Sequence, residues 1–227
     1  MALPSVLFGD LTRKELAECI SSGTVKGAIV PVGACEQHQD HLAMINDAEC
    51  VTEIARRVAL SLYPQILVTP TVSMSVSEHH MERGGALTIR PEVLIEYVHD
   101  VCRSLKRLGV PNVMVLNGHG GNKRQNLERV VPESIKKLDE LGVTYLTYWH
   151  AFPKSFFEEH LESDRSAGHA GEFETSLGLV LFPKHIRFDE ITYGSAQLAS
   201  IAKGGLILNA IVEGVTEQVR QMIEGKL

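Results

Sequence analysis

Short apolar runs alternate along this chain with stretches whose apolar positions recur every three or four residues. Gly27-Ala28-Ile29-Val30-Pro31-Val32 predicts a buried strand, in which Pro31 is out of place because it lacks a backbone N–H. Asp47 to Leu62 predicts a helix with Ile54, Val58 and Leu62 on one face. Gln65 to Val68 predicts a second strand, and Pro91 to Leu108 a helix with proline in its first turn. Asn112 to Leu116 predicts a third strand, entered through Gly109-Val110-Pro111. Asn122 to Leu141 predicts a long helix that Pro132 should kink or interrupt, because the ring displaces a helical hydrogen bond. Val143 to Thr147 predicts a fourth strand, and Glu172 to Leu181 and Leu206 to Ile223 two more helices. Strands that alternate with helices imply an α/β fold, a mostly parallel sheet covered by helices on both faces. No linker, repeat or low-complexity tract divides residues 1–227, so a single domain is expected.

Composition narrows the function classes. The chain has 227 residues, 44% hydrophobic and 22% charged, which suits an ordinary globule. A net charge of -6 and the lack of a long Lys/Arg run argue against a nucleic-acid surface. No apolar stretch reaches the roughly 18 residues that span a bilayer, and the N-terminus has no signal-peptide pattern. Cys19, Cys35, Cys50 and Cys102 form no C-x-x-C pair, which points to a reducing, cytoplasmic setting. Cys35 stands next to Glu36 and reads as a small buried residue rather than a nucleophile.

Chemistry concentrates in three segments. Glu36-Gln37-His38-Gln39-Asp40-His41 and the later Asp47 place two imidazoles and three carboxylates within twelve residues, directly after the first strand. Imidazole and carboxylate together are the ligand set of Zn, Mn or Fe(II). Glu36 and His38 are two apart, so an extended backbone directs both to one side. Asp47 alone reads as a helix N-cap; beside Glu36 and His38 it reads as a ligand whose two oxygens can bridge two metals. The second segment, Asn117-Gly118-His119-Gly120-Gly121-Asn122, sets His119 in a glycine-rich turn. A phosphate cradle is the rival reading there, but no G-K-[ST] ending follows. The third is Gly168-His169-Ala170-Gly171-Glu172-Phe173-Glu174-Thr175-Ser176. In a regular helix Glu172 and Glu174 lie about 200° apart, so one of them faces the metal. His169 and Glu172 are three apart and can share a face. Glu172 is therefore assigned to the metal, with His169 moving protons. Glu174 either orients a neighbour in the catalytic machinery or is simply a favourable anion at the helix start. Ligands of open α/β sheets gather beyond the carboxyl ends of the strands, where all three segments can meet. His41 is expected to orient a neighbour. One histidine of His79-His80 is placed at the rim; His99, His150, His160 and His185 read as structural.

These motifs resemble the creatininase (creatinine amidohydrolase) family. Gly33 to Ala43 follows its G-x-x-E-Q-H-G-P-H-L-P motif, and Asp47 its following Asp. Asn117 to Asn122 matches N-G-H-G-G-N, His169 to Ser176 matches H-A-G-E-x-E-T-S, and Ser77 to His80 half-matches a further motif. The resemblance implies a three-layer α/β/α fold, a homohexamer and two divalent metal ions per chain. It implies Glu36, His38, Asp47 and His119 as ligands, with Asp47 bridging. Creatininase draws another carboxylate from two residues past its metal His, where this chain has Gly121; the Glu of A-G-E, Glu172, is the implied replacement.

Departures from the pattern bear on the substrate. Gln39-Asp40 replaces Gly-Pro, and Arg83-Gly84-Gly85-Ala86 replaces Phe-Pro-Gly-Thr. Arg165 and Ser166 stand where creatininase holds its flat substrate with Trp and Asp, and Gly120 where it has Tyr. These changes argue against creatinine. Gly120, Arg165 and His80 are expected to face the substrate, Arg165 suiting a carboxylate or phosphate. The expected activity is hydrolysis of an amide C–N bond in a small molecule, cyclic amide or formamide, by a metal-activated water. The alternatives are a deformylase or peptidase of the same family, and a non-catalytic metal- or nucleotide-binding protein.

Overall fold

The computed structural model describes residues 3–163, 166–192 and 194–227. Its sheet consists of β1 (Gly27–Val32), β2 (Ile66–Val68), β3 (Asn112–Asn117) and β4 (Thr144–Thr147), in the order β2-β1-β3-β4 and parallel throughout. The two central strands, β1 and β3, are buried along nearly their whole length, as strands covered on both faces must be. Helix α1 (Arg13–Ser21) precedes the sheet. On one side α2 (Asn46–Ser61), α7 (Glu172–Leu181) and α8 (Ile201–Ile223) pack against one another, α2 on β1 and α8 on β3. On the other side α3 (Pro91–Leu108) covers β1 and β3 and packs on α5 (Pro132–Glu140), next to α4 (Arg124–Val130). A short α6 (Ser155–His160) follows β4.

Pro31 is accommodated for a positional reason. Pairing of β1 with β2 ends at Ile29↔Val68, and the Pro31 carbonyl accepts from Val72 N–H, outside the strand. Residue 31 therefore faces the side where β2 has stopped, and no ladder bond is missed. Pro132 divides the expected long helix into α4 and α5, with Val131 between them.

Two helix starts are set by caps rather than by apolar periodicity. Helix α1, which the hydrophobic pattern does not predict, starts at a capping box: Thr12 Oγ1 accepts from Glu15 N–H, and the Glu15 carboxylate accepts from Thr12 N–H. Its apolar face is narrow, which hides it from a periodicity reading. Helix α8 begins at Ile201, before the expected Leu206, because Ser200 Oγ caps Lys203 N–H.

The carboxyl ends of β1 and β3 open onto one rim, and Gly33 brings β1 hard against α2. A Cβ at Gly33 would lie 2.4 Å from Ala48 Cα. This close approach sets the start of α2, and with it Asp47, beside the loop that follows β1.

Candidate metal centre

Glu36 and His38 leave β1 on the same side of the chain, and α2 delivers Asp47 from its first turn. Asp47 is not the cap of that helix: no side chain caps its N-terminus. Its carboxylate is instead divided between two histidines. Oδ1 lies 2.9 Å from His38 Nε2 and Oδ2 lies 2.8 Å from His119 Nδ1. Glu36 Oε1 stands 3.3 Å from His119 Nδ1, and Glu174 Oε2 3.6 Å from His38 Nε2. Glu36, His38, Asp47, His119 and Glu174 are all at most 5% exposed.

The two asparagines of the glycine-rich turn hold His119 in place. Asn117 Oδ1 accepts from His119 N–H, while its Nδ2 donates to His119 O and Thr147 Oγ1. Asn122 spans from Val76 N–H to Gly33 O. Nε2 of His119 lies 2.9 Å from the Val76 carbonyl, which leaves Nδ1 facing the carboxylates. A Cβ at Gly121 would fall 2.1 Å from Val76 O and 2.5 Å from His119 Nε2, so no side chain fits there. The carboxylate that does enter the cluster comes from α7.

That carboxylate is Glu174. Residue spacing predicts Glu172 toward the metal, and the structure places it elsewhere. Glu172 points away from the cluster to Lys203 Nζ, the N–H groups of Glu162 and Ser163, and Ser163 Oγ. The two glutamates do face different ways, as a rotation of about 200° requires. A shared face for His169 and Glu172, however, needs a helical His169. It is not helical: α7 starts at Glu172, and Ala170 has φ 49°, so the chain turns sharply between His169 and the helix.

His169 stands at the accessible edge. Its Nδ1 is 3.7 Å from Glu36 Oε1, its Nε2 is 3.1 Å from the Gln37 side-chain amide, and its ring lies 4.5 Å from that of His38. His80 is drawn in too, with Nε2 3.4 Å from Glu36 Oε1 and Nδ1 2.7 Å from Gln37 Nε2. The residues missed from the sequence are Gln37, Ser77 and His79. Gln37 bridges His80 and His169. Ser77 Oγ lies 3.3 Å from His119 Nε2, and the exposed His79 ring stacks on His119 at 5.8 Å. Their nearness to His80 and His38 in sequence was the available signal. His41 is buried, with Nε2 2.9 Å from Thr175 Oγ1 of α7. Gly120 borders open space, with nothing within 4 Å of a Cβ there. Arg165 lies outside the described residues.

The electrostatics are those of anions collected without a fixed cation among the described residues. Burial works against the charge on His38, yet Asp47 and Glu174 push its pKa up to about 10. His119, also opposed by burial, is pushed up to about 10 by Asp47 and Glu36. Burial pushes the Glu174 carboxyl up to about 7 despite His38. Burial also takes the His169 imidazole down to about 4, aided by His38 and His80. Cys35 is held above the usual thiol range by burial and by Glu36, so it is a poor nucleophile.

Two buried atoms that face the cluster, Glu36 Oε2 and His38 Nε2, have no hydrogen-bond partner among the described residues. His38 Nε2 is close to Asp47 Oδ1, but the pair is not aligned for a hydrogen bond. Buried polar groups are seldom left so. Glu36, His38 and Asp47 each bring a ligand atom within 4.8 Å of the others, as do His38, His169 and Glu174. The donor set and its orphaned atoms fit a divalent metal.

Comparisons with known proteins agree. The creatinine amidohydrolase of Pseudomonas putida is 28% identical, over 96% of this chain and 97% of that protein. The 3-dehydro-scyllo-inosose hydrolase of Thermotoga maritima is 28% identical over 79% of this chain and 57% of that one. The mycofactocin precursor peptide peptidase of Mycobacterium ulcerans is 27% identical over 88% and 77%. A crystal structure of creatininase superposes with a TM-score of 0.82 at 27% identity, covering 96% of this chain and 98% of that one. Equally covered are a structure described as creatininase Mn, with a TM-score of 0.82, and a creatininase variant described as Zn-Zn type, with 0.80. The model of the family described as creatinine amidohydrolase matches residues 9–200. With that match over most of its length, the chain belongs to the creatininase family.

Proposed function

We propose that this protein is a metal-dependent amidohydrolase that cleaves an amide C–N bond. The observation that carries the reading is the division of Asp47 between two histidines. Its two oxygens define two adjoining donor groups, Glu36 with His119 and Glu174 with His38, as a carboxylate bridging two ions requires. Those five residues would hold two divalent ions, zinc or manganese being suited to nitrogen and oxygen donors. When bound, these ions would supply a lowered pKa for water and polarisation of an amide carbonyl.

The chain's own groups do the rest. His169 is neutral near pH 7, since burial lowers its pKa to about 4. It can therefore give a proton to the leaving nitrogen from Nδ1, the cluster-side atom that carries the ring hydrogen while Nε2 accepts from Gln37, and recover one from the attacking water. Gln37 fixes the far edge of that ring through Nε2. His79 and His80 wall the opening. Assembly as a homohexamer belongs to the same proposal, and light scattering of the purified protein tests it.

A cyclic amide or a formamide is the substrate class proposed first. A peptide-like amide is the second reading, favoured by a cavity of about 300 Å³ beside His79 and Gly120, which Val76, Pro91, Leu127 and Val130 also line. The test is a panel of creatinine, other cyclic amides, formamides and short peptides, assayed with zinc- and manganese-loaded protein. Cleavage of the amide bond in one panel member, read as ring opening for a cyclic amide and as released amine for a formamide or peptide, and abolished by chelation, supports the reading. Failure of the wild type to take up either metal contradicts it.

A further inference from the structure

The first turn of α7 carries two buried carboxylates, and the loop that holds His169 is tied to both. At the end of that loop, Ala170 N–H donates to Glu174. At its start, the N–H groups of Glu162 and Ser163 and the Ser163 hydroxyl donate to Glu172. Glu172 is fully buried and pairs with Lys203 in the first turn of α8. Lys203 Nζ also reaches Glu162 Oε1 at 2.7 Å and the Leu198 carbonyl at 2.9 Å. One ammonium thus joins the loop, α7 and the segment leading into α8.

We propose that Glu172 and Lys203 form a latch whose role is to position His169. The proposal rests on the proton-transfer role given to His169 above. Glu172 and Lys203 touch neither substrate nor metal in this scheme; they are positioning residues. The need for a latch is visible in the backbone. Ala170, directly after His169, has φ 49°, a left-handed conformation that an alanine adopts only when its surroundings enforce it. The bond from Ala170 N–H to Glu174 and the burial of Ala170 beside the start of α7 hold it there. The buried Glu172 carboxylate gathers both peptide donors and an ammonium, so its charge is well compensated where it is. A carboxylate so engaged is not available as a metal ligand, although the A-G-E spacing suggests one.

The test compares Glu172→Gln and Lys203→Met with the wild type, and adds Lys203→Arg as the charge-keeping variant. Three quantities are read on the zinc-loaded protein: metal content, amide hydrogen exchange of peptides covering 161–171, and steady-state kinetics on whichever amide of the panel the wild type hydrolyses. Exchange over 161–171 should quicken in Glu172→Gln and Lys203→Met while metal content stays at the wild-type level. kcat should fall by about 10-fold to 100-fold with KM nearly unchanged, as expected when a proton-transfer group is misplaced by a fraction of its reach. Lys203→Arg should restore much of both. Loss of metal in Glu172→Gln overturns the proposal, as does an exchange pattern that neither variant alters. If the wild type takes up no metal, the amidohydrolase reading fails on its own account, and hydrogen exchange alone still decides whether the latch exists. Should Glu172→Gln not fold, Lys203→Met with Lys203→Arg decides the same question.

Discussion

Glu172 and Glu174 begin the same helix two residues apart, and both carboxylates are buried, yet their surroundings are opposites. Glu172 meets Lys203, a permanent cation, together with backbone and hydroxyl donors. It is held below the usual carboxylate range, because those donors outweigh its burial. Glu174 meets His38 and two further carboxylates, and burial pushes its pKa up to about 7. The first region is electrically complete as it stands. The second collects Glu36, Asp47 and Glu174 around histidines that can lose their protons, and among the described residues it leaves two buried polar atoms unpartnered. The contrast teaches that burial of a carboxylate is not a signal of function. What sets the Glu174 group apart is a deficit of fixed positive charge among the described residues, which an exchangeable cation would fill.

The largest effect is expected at the residue shared by both halves of the cluster. Asp47→Ala should abolish metal uptake and destabilise the metal-free protein by about 3–5 kcal/mol, since two buried histidines lose their counter-ion. Elemental analysis and denaturant unfolding measure both. Unaltered metal content would break the distinction between the two regions.

Next, His169→Ala should lower kcat by roughly 10²–10⁴-fold while the metal stays bound, the usual scale for a lost proton-transfer group. Parallel loss of metal would move His169 into the ligand set.

A third effect is a pH dependence that arises in the cluster of Glu174 and not around Glu172. In the metal-free protein His38 and His119 have pKa values raised from 6.5 to about 10. The stability they contribute is therefore complete below pH 6.5 and is lost as pH rises toward 10. Calorimetry of chelator-treated protein should show Tm falling between about pH 7 and 10. Metal uptake near pH 7 should release protons and strengthen as pH rises, which titration in buffers of different ionisation enthalpy detects. A metal affinity independent of pH would contradict this.

The smallest effect concerns Gln39, which has φ 54° where the family motif has glycine. Gln39→Gly should change stability by about 1 kcal/mol or less, the relief of strain being offset by a freer unfolded chain. Thermal unfolding measures it.

The sheet and most of its helices were legible in the sequence because both central strands are continuous apolar runs and Pro91, Pro132 and the glycines mark boundaries. Helix α1 was not, since its signal was a cap rather than a periodicity. Glu36, His38, Asp47 and His119 were legible because β-strand ends and motif spacing bring them to one rim, and the structure does converge them. Which glutamate joins them was not. The choice between Glu172 and Glu174 depends on where α7 begins and how the loop before it turns, and on Lys203, thirty-one residues away in sequence. Local spacing carries no information about that partner. Gln37 and His79 were missed for a related reason: each acts on a ring delivered by another loop.

The most direct test is the metal content of the wild type, Glu174→Gln and Glu172→Gln, measured side by side after loading with zinc. The wild type and Glu172→Gln are expected to carry about two ions per chain, and Glu174→Gln to lose at least one of them. Full occupancy in Glu174→Gln with depletion in Glu172→Gln would contradict the assignment of the metal-facing carboxylate.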